Sequence, residues 1–361
     1  MNHFAERQRR LLQKLKKQQV DVLLVTNPVN VTYLTGFSGD SSYLFVGAKK
    51  TILVSDFRFT QQLAEECPDL ETYIRPHNQT LLQATAATLK KLKCQTVGFE
   101  SDHLTVADFE SLREQAPPVD WKGCPGLVRD LRTIKDADEI RQIRQAVHVA
   151  ERAFRMFHAM VRLGDSEKEL CDALETYIRR AGGRCSSFPI IVAAGHRAAL
   201  AHAPPTGQRL EEAGLLLVDW GADVGMYKSD LTRVFAVHKI SPKLRDVHRV
   251  VVEAQHRAIR SIRAGVRARD VDAEARSYIA DQGFGKFFGH GLGHGIGLEI
   301  HEAPSIRQNS DDILQPGMVI TIEPGIYLPG WGGVRIEDDV LVTKDGCEIL
   351  TQVNKELEIL C

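Results

Sequence analysis

Along residues 1 to about 125, short apolar runs alternate with stretches in which apolar residues recur every three or four positions. The runs predict strands over 22–25, 43–46, 51–54 and 97–100, and the periodic stretches predict helices over 4–18, 59–66, 81–92 and 106–115. Such alternation marks an α/β layered domain. Pro117-Pro118 and Gly123-Cys124-Pro125-Gly126 then punctuate the chain, so we place a domain boundary there and divide 1–128 from 129–361. Beyond it, Asp136 and Glu139 form a capping box, and Ile140, Ile143, Val147, Ala150, Phe154 and Phe157 follow at helical spacing. A long amphipathic helix therefore opens the second domain. Val161-Arg162-Leu163-Gly164 and Ile262-Arg263-Ala264-Gly265 each precede a helical pattern ending in Tyr-Ile and glycine, a faint internal repeat. Two related α/β halves around a shared sheet would produce it.

At 361 residues, two unequal domains are the natural expectation. Hydrophobic residues at 43% and charged residues at 26% are proportions of a globular protein. A formal net charge of −1 gives no electrostatic case for nucleic acid or an anionic membrane as partner. The N-terminus has basic residues but no apolar stretch after them, and no window approaches the ~18 apolar residues of a membrane span. A cytoplasmic protein is the expectation. Seven cysteines, Cys361 among them, are scattered without a CxxC, which suggests neither a disulfide framework nor a zinc ribbon. Asp56 and Arg58, after a strand, face a cleft or form a structural ion pair.

Candidate chemistry concentrates in the second domain. Residues 289–304, GHGLGHGIGLEIHEAP, set His290, His294 and His301 among five glycines, a poor recipe for a helix or a packed strand. Glycine lets backbone approach a ligand or metal closely while imidazoles project from it. As extended chain, His290 and His294 share a face, whereas His301 joins them only through a bend or bulge. Upstream, the strand ending in Asp219 turns back into Asp230-Leu231-Thr232-Arg233. A turn centred on Val224-Gly225 would put Asp219 directly opposite Asp230, about 5 Å apart, a costly pair unless a cation lies between. Downstream, a buried-strand pattern over 318–322 runs into Glu323-Pro324, and a single strand over 332–340 carries Arg335 and Glu337 on one face. Asp219, Asp230, His294, Glu323 and Glu337 together offer four carboxylates and one imidazole. Such a shell suits Mn, Fe or Co and also holds Zn.

These segments resemble the pita-bread metallopeptidases, family M24, which include aminopeptidase P, prolidase and methionine aminopeptidase. VDWGADVGMYKSDLTR is similar to the family's paired-aspartate hairpin, HGLGHGIGLEIHEAP to its histidine segment, and TIEPGIY and GGVRIEDDVLVT to its two glutamate strands. Tyr33-Leu34-Thr35-Gly36-Phe37 and Ser55-Asp56-Phe57-Arg58 more loosely resemble the creatinase/prolidase-type N-terminal domain, which points to the proline-specific branch. The resemblance implies an α/β (α+β) architecture: that N-terminal α/β domain, then a pita-bread catalytic domain with an internal pseudo-twofold repeat. It also implies two divalent metal ions, Mn first with Co, Zn or Fe as alternatives. Asp219 would chelate one, Asp230 and Glu337 would bridge both, and His294 and Glu323 would complete the other. His202, His301 and Glu323 would be catalytic, with His290 and Arg335 in the substrate pocket.

The implied reaction is hydrolysis of the bond between an N-terminal residue and a following proline. An Xaa-Pro aminopeptidase is the first expectation, and an Xaa-Pro dipeptidase acting on dipeptides alone is the alternative. Glu323 would shuttle a proton, and His301 and His202 would donate hydrogen bonds to the tetrahedral intermediate. Pro329-Gly330-Trp331-Gly332 is either a wall of the pocket or an exposed turn. A complete ligand set argues against metal-free creatinase-like chemistry; a non-catalytic binding protein on the same fold is the remaining alternative. Peptides with proline at the second position are the expected partners, and by family analogy the chain is a homodimer.

Overall fold

The computed structural model describes residues 3–360, so Cys361 lies outside the described part. It divides into one unit ending at Arg132 and a second beginning at Thr133. The division falls after Arg132 rather than after residue 128 because the last turn of the first unit is tied into it. There Arg132 Nη1 donates to Asn30 Oδ1 at 2.8 Å, and Tyr33 OH donates to the Leu131 carbonyl at 3.2 Å.

The first unit runs α1 (His3–Lys17), β1 (Val22–Val25), α2 (Pro28–Thr35), β2 (Tyr43–Gly47), β3 (Thr51–Ser55), α3 (Thr60–Glu66), β4 (Glu71–Ile74), α4 (Leu81–Leu92), β5 (Thr96–Phe99), α5 (Val106–Gln115), β6 (Asp120–Gly123) and α6 (Arg129–Arg132). Its six strands form one mixed sheet in the order β4-β3-β2-β1-β5-β6. Val22 to Val25 are all buried, which is why β1 reads as an unbroken apolar run. Helix α2 escapes periodicity, yet it carries its own punctuation: Asn27 Oδ1 caps Val29 N–H, Pro28 begins it, and Gly36 at φ 83° ends it. β4 and β6 are exposed edge strands without an apolar pattern to reveal them. Asp56 is the centre of an ion-paired corner, 2.8 Å from Arg58 and 3.2 Å from Arg75. Arg58 in particular holds its carboxyl down to about 2.

The second unit runs α7 (Ala137–Met160), α8 (Glu167–Arg180), β7 (Cys185–Ser186), β8 (Ile191–Ala194), β9 (Leu215–Trp220), β10 (Ala222–Val224), β11 (Tyr227–Lys228), β12 (Leu231–Val237), α9 (Pro242–Ser261) and α10 (Ala268–Asp281). It continues through β13 (Gly293–Gly295), β14 (Glu302–Ile306), β15 (Val319–Ile322), β16 (Gly325–Leu328), β17 (Gly332–Arg335), β18 (Asp338–Val342), β19 (Cys347–Ile349) and β20 (Ile359–Leu360). The two larger sheets have the orders β20-β12-β9-β8 and β14-β13-β15-β18-β19. Both faces of β9 are covered. Leu216, Val218 and Trp220 join a core with α7 and α8, where Phe154 stacks on Trp220 at 4.2 Å. Leu215 and Leu217 join the other core with α9, α10, Ile320 and Ile322. Period two puts Asp219 on the second of these faces. The two helix pairs also echo the repeat, since α7 and α9 are capped at the matching Val161 and Ile262.

One expected strand is two. The run over 332–340 breaks at Ile336-Glu337, β17 pairing with β16 and β18 with β15 and β19. A bridge from Thr232 to Glu337 occupies the break. Pro329 and Gly330 are exposed in the turn between β16 and β17, so this segment is not a pocket wall; Lys243 lies over the Trp331 ring at 4.6 Å.

Candidate active site

The β9–β12 hairpin corrects the expected register. Gly225 at φ 56° and Met226 at φ 72° form the turn, Val224 pairs with Tyr227, and Asp219 stands opposite Thr232 rather than Asp230. Centring the turn on Val224 would demand positive φ from a β-branched residue, which is the costlier choice. Since the shift moves each partner by two, Asp230 stays on Asp219's face as a diagonal neighbour.

In the histidine segment, β13 pairs with β14 through a bulge between His294 and Gly295. That irregularity brings His301 back, its ring 4.4 Å from that of His294. The glycines serve backbone more than ligand: a Cβ on Gly293 would meet the Thr321 carbonyl at 2.0 Å, and one on Gly295 the Ala303 carbonyl at 2.1 Å. His294 Nδ1–H donates to the Gly295 carbonyl at 3.1 Å, which leaves Nε2 as a lone pair facing Glu323 Oε1 at 3.5 Å and Asp230 Oδ2 at 3.7 Å. His290 is fixed similarly, Nδ1–H donating to the Gly291 carbonyl at 2.7 Å while Nε2 accepts from Tyr327 OH at 2.9 Å.

The glutamates sit where strands end. Glu323 follows β15, its backbone N–H on the Leu292 carbonyl and its Oε1 accepting from Thr321 Oγ1 at 3.3 Å. Glu337 Oε2 accepts from Thr232 Oγ1 at 2.5 Å. Arg335 spans the floor: Nη2 donates to Asp219 Oδ2 at 2.5 Å, Nε to Thr232 Oγ1 at 3.0 Å and Nη1 to Tyr327 OH at 2.8 Å.

A cavity of about 560 Å³ gathers all the expected residues, Asp219, Asp230, His294, Glu323 and Glu337 with His202, His290, His301 and Arg335. Of these nine, His202 and His301 are the solvent-exposed ones. Phe188, Pro189, Ile190, Ile191, Pro204 and Ile300 give it an apolar side. Sequence reasoning assigned no role to Tyr327 or Thr232. Both lie an even number of residues from an expected ligand, Glu323 or Asp230, and period two was the signal that would have found them.

Electrostatically the cavity is strained toward cations. Burial, then Glu337 and Asp219, push Asp230 well above the usual carboxylate range, and burial with Glu323 and Asp219 does the same to Glu337. Burial lifts Glu323 to about 8 and lowers His294 to about 4, with His301 adding to the latter. Asp219 Oδ1 is shielded from solvent with no hydrogen-bond partner among the described residues. Ligand atoms of Asp230, His294 and Glu337 lie within 4.8 Å of one another. An imidazole lone pair aimed at carboxylate oxygens repels them, and a divalent cation turns that repulsion into coordination. The donor set therefore fits divalent metal.

The family described as metallopeptidase family M24 matches residues 141–344, and the creatinase/prolidase N-terminal domain matches residues 7–134. The chain belongs to metallopeptidase family M24. It is similar to the Xaa-Pro dipeptidase of Pyrococcus horikoshii, 34% identical with 99% of this chain and 100% of that protein covered. Among solved structures it resembles an Xaa-Pro dipeptidase from Bacillus anthracis, with TM-score 0.94 and 39% identity over 99% of this chain and 100% of that one. It also resembles an X-Pro aminopeptidase from Thermotoga maritima, with TM-score 0.90 and 34% identity over 96% and 99%. This M24 chain is thus an enzyme, a mixed α/β metallopeptidase whose family works with divalent metal ions. None of its described helices is long and apolar enough to cross a membrane.

Proposed function

We propose that this M24 enzyme hydrolyses Xaa-Pro dipeptides, the dipeptidase reading in preference to the aminopeptidase first expected from sequence. The observation that carries a metallopeptidase site is the group of four carboxylates, three buried and Glu323 partly so, gathered in one cavity with the His294 Nε2 lone pair, which faces Asp230 and Glu323. Whole-length similarity to proteins named Xaa-Pro dipeptidase supports the dipeptide preference. Asp219, Asp230, His294, Glu323 and Glu337 would hold two divalent ions, Mn before Co, Zn or Fe. When bound, such ions supply Lewis acidity toward a carbonyl and make water acidic near neutral pH.

The remaining chemistry falls to side chains. Glu323, poised at the end of β15 and hydrogen-bonded by Thr321, accepts a proton from the attacking water and returns it to the departing proline nitrogen. That nitrogen carries no N–H in the peptide, so it cannot leave without one. His202 and His301, exposed at the rim, donate hydrogen bonds to the oxyanion. Arg335 holds Asp219, burial keeps His290 neutral, and Tyr327 fixes the tautomer with Nδ1 protonated. The apolar side, Phe188, Pro189 and Ile300, suits a pyrrolidine ring and excludes water around it.

A second reading, an aminopeptidase for longer Xaa-Pro peptides, draws on one observation. Arg335 is the sole lysine or arginine among the described lining residues, and its nitrogens are engaged by Asp219, Tyr327, Thr232 and the Ala201 carbonyl. A dipeptide's carboxylate would have to be met by imidazole instead. Release of alanine from Ala-Pro and from Ala-Pro-Ala by Mn-loaded protein, with a chelated control, tests both. Chelator-sensitive cleavage of Ala-Pro alone is expected, cleavage of the tripeptide would favour the second reading, and cleavage of neither would reject both.

A further inference from the structure

Glu323 and Glu337 stand where a ladder stops. The β15–β18 pairing ends at Ile322 opposite Asp338, so the two glutamates are the next positions beyond the last ladder pair, with no strand-to-strand bond fixing their separation. Gln255, fully buried on α9, reaches this point. Its Nε2 lies 3.0 Å from the Ile322 carbonyl, 3.2 Å from the Ile336 carbonyl and 3.1 Å from Asp338 Oδ2. Ile322 and Ile336 immediately precede the two glutamates. One amide thus ties together the backbone just behind both carboxylates.

Its orientation is fixed by chemistry. Gln255 Oε1 accepts from Lys355 Nζ at 2.9 Å, and an ammonium group has no lone pair to offer a flipped amide nitrogen. Lys355 in turn pairs with Asp338, which also takes Arg233 at 2.8 Å. Arg233 Nη1 donates to the Glu337 carbonyl at 2.6 Å, so the same network grips Glu337 from both sides.

We propose that Gln255 is a positioning residue that sets the spacing of Glu323 and Glu337 for metal, acting from outside the cavity. This rests on those glutamates being ligands, as proposed above. Groups that orient ligands in this way typically contribute about 10–100-fold to metal affinity. The test is calorimetric titration of Mn²⁺ into chelator-treated wild type and Gln255→Met, with thermal unfolding of both metal-free proteins and steady-state kinetics at saturating Mn²⁺. Expected is a fold of similar cooperativity, Mn²⁺ affinity lowered about 10–100-fold, and a fall in kcat with KM nearly unchanged. A variant that melts lower yet binds Mn²⁺ as wild type does would overturn the proposal, because a merely structural amide predicts that result. Should Gln255→Met fail to fold, Lys355→Met decides: it frees the amide to rotate, and Mn²⁺ affinity lower than wild type supports the proposal while equal affinity overturns it. Wild type that takes up no Mn²⁺ would instead overturn the ligand reading, and this proposal with it.

Discussion

Glu337 and Asp338 are neighbours in the chain, both fully shielded, and they live in opposite electrostatic worlds. Burial pushes Asp338 up, but Arg233 and Lys355 outweigh it and hold the carboxyl below its ordinary value. Burial pushes Glu337 up and Glu323 and Asp219 push it further, so it is held well above. The same contrast separates Asp223, which Arg184 and Lys228 pull down against its burial, from Asp219 on β9 and Asp230 just before β12. A buried carboxylate is therefore no evidence of function by itself. What distinguishes the cavity is that four acids share one guanidinium, and the structure leaves the rest of their charge for something else to neutralise.

The comparison breaks most sharply at Asp230. Asp230→Asn is expected to lower kcat/KM on Ala-Pro by roughly 10³ or more, as loss of a proposed metal ligand should. In chelated protein the same change removes one of several repelling charges, so urea unfolding should show stability equal to or above wild type. Asp338→Asn, one step away from Glu337, should do the reverse to the fold, costing about 3–5 kcal/mol in the same assay because Arg233 and Lys355 lose their buried partner. Were both substitutions destabilising alike in the absence of metal, the division between the two groups of acids would collapse.

Smaller changes sharpen it. Tyr327→Phe deletes the donor to His290 Nε2 and the acceptor for Arg335 Nη1, with an expected loss of about 1–3 kcal/mol in kcat/KM terms and little change in metal content. Kinetics beside elemental analysis separate the two effects. The smallest effect lies in the first unit. Asp56 is held at about 2 against an ordinary 3.8, chiefly by its hydrogen bond from Arg58. Its folded carboxyl binds its proton later than the unfolded one, so its stabilisation is fully present above pH ~4 and is lost as pH falls toward ~2. The urea midpoint of Asp56→Asn should therefore trail wild type by a constant margin at neutral pH, and the margin should close across that acid window.

Much of this was legible in the sequence because it depends on period and punctuation. The capping box at Asp136 and Glu139 begins α7 as expected, and the apolar runs of the first unit became its central strands. The cavity residues were legible through chemistry: acids at strand ends and histidines among glycines are poor candidates for packing. Register was less so. Where the turn falls depends on which residues tolerate positive φ, and Met226 adopting φ 72° beside Gly225 is a local compromise that no alternation of apolar residues encodes. Nor did the pattern show the break between Arg335 and Asp338, since every residue on either side is buried and the run looks continuous. Gln255 was invisible for a related reason: a polar residue on a helix looks solvated until the partners of its amide are seen.

The most direct measurement is the stability of chelator-treated wild type, followed by urea unfolding as Mn²⁺ is added back. Cations that the cavity acids are built to hold should stabilise the fold progressively, by about 2.7 kcal/mol once free metal reaches a hundred times its dissociation constant, and the gain should vanish in Asp230→Asn. An unfolding curve indifferent to Mn²⁺, or one shifted equally in the variant, would contradict the claim that these carboxylates are left short of cationic partners for metal.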